Sequence, residues 1–337
     1  MLLTQTKEMA TKEKPTIISL FSGCGGLDLG FVKAGFNLIY ANDNDKDVWE
    51  TFEKNHKIKL DKRSIVDISS KDLPDADGII GGPPCQSWSL AGAMRGTNDS
   101  RGKLFYDYLR ILADKKPKFF LVENVPGLIS KTHVNEFNKI LEEFNKIGYN
   151  ISYSVVNAKD FGIPQERKRV LVIGYRKDLR ISFSFPQFNN KKSSLRDAIG
   201  DLPNSILYVD KTNANLKIAN HEHMNGGFST RYLSRNRKRN WSESSFTIQA
   251  SGRHAPLHPN STRMIKEEKD KWYFKDGIRS NYRRLSVREC ARIQTFPDNF
   301  IFYYGNVAKG YKMIGNAVPV MLAEKIAKKI RLDLEAN

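Results

Sequence analysis

The sequence predicts an α/β fold: a doubly wound, Rossmann-like, mostly parallel sheet with helices on both faces, accompanied by a second, smaller domain. Three observations carry that expectation. Short apolar, β-branched or aromatic runs alternate with helix-spaced stretches up to about residue 180. The first run ends in a turn bearing Gly23, Gly25 and Gly26, where a strand passes tightly into a helix. From about 183 to 282 the periodicity is lost, and Asn, Ser, Arg, Lys and His take over.

In chain order, strands are expected at 16–21, 38–41, 78–81, 118–123, 151–156 and 170–175, with helices between several of them. Val134, Phe137, Ile140, Leu141, Phe144 and Ile147 recur at three- and four-residue spacings, and Gly148 stands where that helix should end. Within the irregular stretch, Phe246-Thr247-Ile248-Gln249 has the composition of a strand. Ser286-Val287-Arg288-Glu289 is a capping box that opens a helix stopping near Phe296-Pro297. A last helix starts around Pro319, with Leu322, Ile326, Ala327, Ile330 and Leu334 on one face. The expected organisation is a polar arm at 1–15, one domain made of 16–182 and 283–337, and a second at 183–282.

Composition narrows the function. The formal charge of +18 over 337 residues points to a polyanionic partner, because each phosphate neutralised releases counterions. Three cysteines, Cys24, Cys85 and Cys290, have no paired spacing, which argues against a disulfide scaffold and a cysteine-based zinc site. A reducing compartment, the cytoplasm, is expected; no apolar run is long enough for a membrane span, and 1–15 lacks a hydrophobic signal region. His221-Glu222-His223 has no further ligand pattern, so these are expected to be surface or DNA-facing polar residues, with no metal.

The turn Phe21-Ser22-Gly23-Cys24-Gly25-Gly26-Leu27 suits close approach of a ligand to the backbone at a helix N-terminus. Asp43 follows the second strand, where such folds place an acid for ribose hydroxyls, and Asp67-Ile68 stands where a third strand end meets an adenine. These imply an adenosine-bearing cofactor, with a nicotinamide dinucleotide and S-adenosylmethionine both open. Gly81-Gly82-Pro83-Pro84-Cys85-Gln86-Ser87 then sets a cysteine on a proline-stiffened loop at a strand's carboxyl end, and Glu123-Asn124-Val125 closes a later apolar run. A nucleophile and an acid in that pairing suit addition to an electron-poor ring such as a pyrimidine.

With Gln165-Glu166-Arg167-Lys168-Arg169, Arg284-Leu285-Ser286-Val287-Arg288-Glu289 and Gly315-Asn316-Ala317-Val318-Pro319, these motifs resemble the DNA cytosine-5 methyltransferases in order and spacing from about Thr16 to the last helix. Within that family the chain is most similar to bacterial modification enzymes of the HaeIII type. The resemblance implies a class I S-adenosylmethionine-dependent fold in which Cys85, as thiolate, attacks C6 of a cytosine flipped out of double-stranded DNA. Glu123 would hydrogen-bond N3 and the exocyclic amine, and Asn124 would shape the pocket beside it. Arg167 would contact the flipped nucleotide, Arg169 the acid or a phosphate, and both are expected to favour the thiolate. Phe21, Ser22, Gly23, Gly25, Gly26, Leu27, Asp43, Asp67, Ile68, Pro83, Asn316, Ala317 and Val318 would hold the cofactor. Asp43 is shorter than the family's usual Glu, and Asn44 stands where a bulky side chain often packs on the adenine, so cofactor affinity is the property these departures touch.

The stretch 183–282 is the expected target-recognition domain. Arginine forks read guanine in the major groove, which favours a G-containing site. Ser234-Arg235-Asn236-Arg237 and Gln249-Ala250-Ser251-Gly252-Arg253 resemble the GGCC-modifying subgroup, with Arg235, Arg237 and Arg253 as base readers and Gln86 and Ser87 also facing DNA. The subgroup implies a partner restriction endonuclease and a monomer. Two other readings stay open: a transfer-RNA cytosine-5 methyltransferase, disfavoured by the large basic segment, and a non-catalytic DNA binder, disfavoured by the intact Cys85, Glu123 and Arg167.

Overall fold

The computed structural model describes residues 13–84, 100–187, 193–209, 216–224, 238–262, 264–268, 271–274 and 282–337. A seven-stranded sheet organises them. Its strands are β1 (Thr16–Leu20), β2 (Asn37–Asn42), β3 (Leu60–Asp61), β4 (Gly78–Gly81), β5 (Phe119–Asn124), β6 (Tyr149–Asn157) and β7 (Lys168–Arg176), in the spatial order β3-β2-β1-β4-β5-β7-β6. β1 to β5 pair in parallel, and β7 runs antiparallel to both its neighbours. Strand order reverses between β1 and β4, so the ligand crevice of a doubly wound sheet opens there, at the carboxyl ends.

The helices are α1 (Gly26–Lys33), α2 (Trp49–Asn55), α3 (Ser100–Lys115), α4 (Val134–Lys146), α5 (Leu195–Ile199), α6 (Val287–Ile293), α7 (Val307–Asn316) and α8 (Val320–Glu335). None among the described residues is long and apolar enough to cross a membrane. Alternation along the central strands divides the core between the two faces. Ile17, Phe119, Leu121, Leu171 and Ile173 pack with Phe31 of α1 and Leu322, Ile326 and Ile330 of α8. Ile18, Phe120, Val122, Val170 and Val172 pack on the opposite face with Phe105 and Tyr108 of α3 and Phe137, Ile140 and Phe144 of α4. Strands apolar on both faces are what a sheet covered on both sides requires.

Two glycines make room for this packing. Gly78 is the cross-strand partner of Phe119, and Gly174 that of Phe120. A Cβ at either position would lie 2.1 Å from the partner's ring. Each ring therefore lies over bare backbone, and Phe120 stacks further on Phe144 at 4.4 Å between centroids.

The irregular stretch holds α5, opened by a Ser194–Asp197 capping box, and two small ladders. β8 (Ile206–Leu207) pairs in parallel with β9 (Glu222–His223), and β10 (Met264–Glu268) antiparallel with β11 (Lys271–Phe274). Leu195, Ile199, Ile248 and Ala255 share one apolar cluster with Leu285, Cys290, Phe302, Tyr311 and Ile314. These parts of 183–282 are thus built onto the C-terminal helices rather than around a core of their own.

The expected strands and the α4, α6 and α8 helices are present, with small shifts at their ends. Two readings are corrected. Phe246-Thr247-Ile248-Gln249 joins no sheet; it is an extended segment fastened by the Thr247 hydroxyl, which donates to Glu166 O at 2.6 Å, and by Ile248 N, which donates to Gln165 Oε1 at 2.9 Å. His221 and Glu222 are buried, not surface residues: His221 bonds Ser286 Oγ and Pro203 O, and Glu222 accepts from the Tyr304 hydroxyl.

Gly174→Ala should force the Phe120 ring off its seat and cost about 1–3 kcal/mol, as overpacking a filled core does. Urea unfolding should show a lower midpoint with an unchanged slope; an unchanged midpoint would mean the ring relaxes freely.

Candidate active site

Register brings the motifs together. Leu20 of β1 is level with Gly81 of β4, and Gly81 with Val122 of β5. The glycine turn, the proline-cysteine loop and Glu123-Asn124 therefore all leave the sheet at one edge. β7 contributes because it runs the other way: Asn124 pairs with Val170, so the residues preceding Val170 reach the same edge.

The turn after β1 is held in an unusual conformation. Phe21, Gly23 and Gly25 have φ of 56°, 57° and 87°, so the chain enters the left-handed region at alternate residues. Ser22 N donates to Asn42 O at 3.0 Å, and Gly23 N to Asp43 Oδ2 at 2.7 Å. Asp43 Oδ1 accepts from Asp45 N at 2.8 Å, and burial raises the Asp43 carboxyl above its usual range. A Cβ on Gly25 would sit 2.0 Å from His56 Nε2, which closes the turn from below. His56 stacks on Phe52 at 4.4 Å, and burial pushes its imidazole down to about 4, so it is neutral at ordinary pH. Asp28, in the first turn of α1, is fully buried, and burial pushes its carboxyl up to about 7 against the opposing pull of the Ser19 and Ser22 hydroxyls.

Glu123 is paired with Arg169, Nε to Oε1 at 2.7 Å, with both side chains largely shielded from solvent. Asn124 Nδ2 donates to Pro83 O at 2.9 Å, while Asn124 Oδ1 accepts from Val125 N at 2.9 Å. A Cβ on Gly82 would meet Glu123 Oε2 at 3.4 Å. The start of the cysteine loop is thus pinned beside the acid. Cys85, Gln86 and Ser87, like Arg235 and Arg237, lie outside the described residues.

A cavity of 430 Å³ occupies this edge, a volume suited to a small-molecule cofactor. Phe21, Ser22, Gly23, Gly26 and Leu27 form one wall, and Asn316, Ala317 and Val318 another. Asp43 and Pro83 line it too, as do Glu123, Asn124 and Arg169. Asn44, which replaces the bulkier side chain expected there, lines it as well, and residues not singled out in the sequence also contribute, among them Asp45, Lys312 and Met313. Lys312 bonds Asp45 Oδ2 at 2.7 Å and Asp47 Oδ2 at 2.8 Å, tying α7 to the loop after β2. Spacing gave no signal for this pair, since its partners are more than 260 residues apart.

Four expected site residues do not line the cavity. Gly25 acts from behind, as the seat of His56. Asp67 is exposed, and Ile68 is buried in the core with its carbonyl accepting from Arg110 Nη2 at 2.9 Å. Arg167 is the substantive correction. It is 1% exposed, and its guanidinium donates to Ile248 O, Gly315 O and Ala317 O, each at 2.9 Å. With its guanidinium committed to these carbonyls, it positions backbone rather than offering a hydrogen bond to a nucleotide. Arg253 is exposed on the single turn Gly252–His254.

The cavity's chemistry fits an adenosylated sulfonium. Asp43, Asp45 and Glu123 line it, and the turn's backbone approaches without side chains at Gly23 and Gly26. The chain is similar to known proteins. The Type II methyltransferase M.MthTI of Methanothermobacter thermautotrophicus is 60% identical over 95% of this chain and 98% of its own length. M.FnuDI of Fusobacterium nucleatum is 54% identical over 94% of each. Among solved structures, a protein from an E. coli prophage superposes with a TM-score of 0.74 at 25% identity, covering 96% of this chain and 100% of that one. DNMT2 of Spodoptera frugiperda, 18% identical with a TM-score of 0.69 over 94% and 100%, shares the fold. The C-5 cytosine-specific DNA methylase pattern runs through residues 15–332, nearly the whole length over which the sheet, the cavity wall and the Glu123–Arg169 pair are built, and the chain belongs to that family as a methyltransferase whose methyl donor is S-adenosylmethionine.

Proposed function

We propose that this methyltransferase modifies C5 of the inner cytosine of GGCC in double-stranded DNA, through a covalent Cys85–C6 adduct, as the monomeric modification partner of a restriction endonuclease. The observation that carries the chemistry is the shielded Glu123–Arg169 pair, with the Gly82-Pro83-Pro84 entry to the cysteine loop pinned beside it by Asn124. The restriction-modification reading draws support from the Type II enzymes to which the chain is similar.

When bound, S-adenosylmethionine supplies an electrophilic methyl group. Asp43 would accept from its ribose hydroxyls, and Asn316 to Val318 would flank its methionine end. Cys85 adds to C6 of the flipped cytosine, forming the S–C6 bond and pushing the C5=C6 electron pair onto C5. Glu123, oriented by Arg169, hydrogen-bonds N3 and the exocyclic amine and so stabilises the charge that builds on the ring. C5 would use that electron pair to form the new C–CH3 bond as the donor's S–CH3 bond breaks, its electrons staying on sulfur to leave the neutral thioether S-adenosylhomocysteine. Loss of the C5 proton then returns a pair to the ring, and Cys85 leaves as thiolate, restoring the C5=C6 bond.

The recognition site rests on the arginines. Arg253 is exposed on a short turn and free of a strand, as a side chain entering the major groove needs to be. Arg235 and Arg237 carry the same role in the proposal from their sequence context.

Labelled methyl transfer to a panel of duplexes should occur on GGCC and fall to background on scrambled or singly substituted forms. Transfer confined to another duplex would overturn the site, and transfer to transfer RNA alone would overturn the DNA reading. Glu123→Gln should lower kcat by about 10²–10³, the usual cost of removing one transition-state hydrogen bond, with little change in duplex affinity. Cys85→Ser should bind DNA and transfer nothing; parent-level transfer would remove Cys85 as nucleophile.

A further inference from the structure

Arg167 sits at the centre of a buried polar cluster that joins two surfaces with different ligands. Its Nη1 holds Ile248 O, while its Nη2 holds Gly315 O and Ala317 O. Gln165 works in parallel. Its Oε1 accepts from Ile248 N at 2.9 Å, and its Nε2 donates to Gln294 Oε1 at 2.8 Å. Gln294 Nε2 in turn donates to Ile314 O at 2.8 Å and Ala317 O at 3.2 Å. The C=O of Ile248 is therefore bound to a side chain that also grips 315 and 317, and its N–H is linked to 314 and 317 through Gln165 and Gln294.

Steric contact reinforces the tie. A Cβ on Gly315 would lie 2.2 Å from Gln249 C and 2.3 Å from Ala250 N, so the backbone at 249–250 rests directly on Gly315. Gly315, Ala317 and the intervening Asn316 wall the cofactor cavity. In the other direction, Gln249 and Ala250 lead within a few residues to the turn carrying exposed Arg253. Among the described residues, every hydrogen bond made by the Arg167 guanidinium ends on a backbone carbonyl, and its Nε has no hydrogen-bond partner. Burying such a group is costly, and its geometry is that of a brace between chain segments.

We propose that Arg167, Gln165 and Gln294 are positioning residues that couple the DNA-facing 246–253 segment to the cofactor wall at 314–318, so that occupation of one surface strengthens binding at the other. The inference rests on the DNA reading above. A segment fixed by one ligand is fixed for the second, and the gain must be the same in either direction. Because one guanidinium holds both parts, replacing its planar fork with an ammonium should weaken the coupling more than either separate affinity.

The test measures the Kd of a GGCC duplex with and without saturating S-adenosylhomocysteine, the cofactor after loss of its methyl group, and the reciprocal Kd with and without duplex. The parent should show the same enhancement in both directions, at least about fivefold. In Arg167→Lys and Gln165→Met it should fall to within about twofold of unity, while each ligand alone binds within about threefold of the parent. Thr247→Val, at a half-buried position, releases the segment without disturbing the buried cations and should reduce the factor too; it decides the matter if the other two fail to fold. A parent factor of one, or variants that keep the parent factor, would overturn the coupling alone. Failure of the parent to bind any duplex would overturn the DNA reading with it.

Discussion

The candidate site depends on one strand running against the rest. Five parallel strands deliver their carboxyl ends to a common edge, but a parallel sheet delivers only carboxyl ends. β7, antiparallel to β5, brings its amino-terminal end there, and this is why Arg169 meets Glu123 across the sheet. The same reversal sends Arg167, two residues earlier, below the edge toward the C-terminal helices. Had β7 been parallel, Lys168 and Arg169 would lie at the far end of the strand, some nine residues or about 30 Å away. Neither the acid nor its orienting cation is unusual in itself; topology makes them a pair.

The two arginines illustrate opposite uses of one side chain. Arg169 is balanced by a carboxylate, so most of the cost of desolvating it is recovered by the pair. Arg167, among the described residues, forms its hydrogen bonds with carbonyls. Hydrogen bonds to a charged group contribute about 1.5–3 kcal/mol each, against an effective desolvation cost of several kcal/mol for the ion. Three such bonds roughly offset burial and leave little surplus stability. What the arrangement provides is precision: three backbone points from two separate parts of the chain are fixed to one rigid plane.

Much of this was legible in the sequence, for definite reasons. Strands buried on both faces are near-continuous apolar runs, which is why 78–81 and 118–123 fall on or within a residue of β4 and β5. The Ser286–Glu289 capping box is a local signal, and it opens α6 as expected. β3, only two residues long, has no periodicity to show. His56 carried no signal, because its value lies in filling the space that Gly25 leaves thirty-one residues away. Arg167 was misjudged because a motif records which residue recurs beside an active site, not which way its side chain turns. In a strand successive side chains alternate, yet Arg167 precedes β7, so its direction is set by the carbonyls of Ile248, Gly315 and Ala317, brought near only by the complete fold. The composition of Phe246 to Gln249 points to a strand for a related reason: its apolar content reflects Ile248 in the core, whose backbone bonds go to the side chains of Gln165 and Arg167 rather than to a neighbouring strand.

Charge distribution gives the last link between fold and function. A net charge of +18 would repel a cationic cofactor if it were spread evenly, since the adenosylated sulfonium and the DNA carry opposite signs. The cavity resolves this locally. Asp43, Asp45 and Glu123 line it, and its two cations, Arg169 and Lys312, are held in ion pairs with Glu123 and with Asp45 and Asp47. Since those pairs are short and the site is partly shielded, screening by salt reaches them less than it reaches exposed basic residues such as Arg253. Ionic strength should therefore act chiefly on the polyanion's approach, while the cofactor meets a wall whose charge is already internally balanced. A strongly basic chain can hold partners of opposite sign because Asp43, Asp45 and Glu123 line the cavity while basic residues such as Arg253 are exposed away from it.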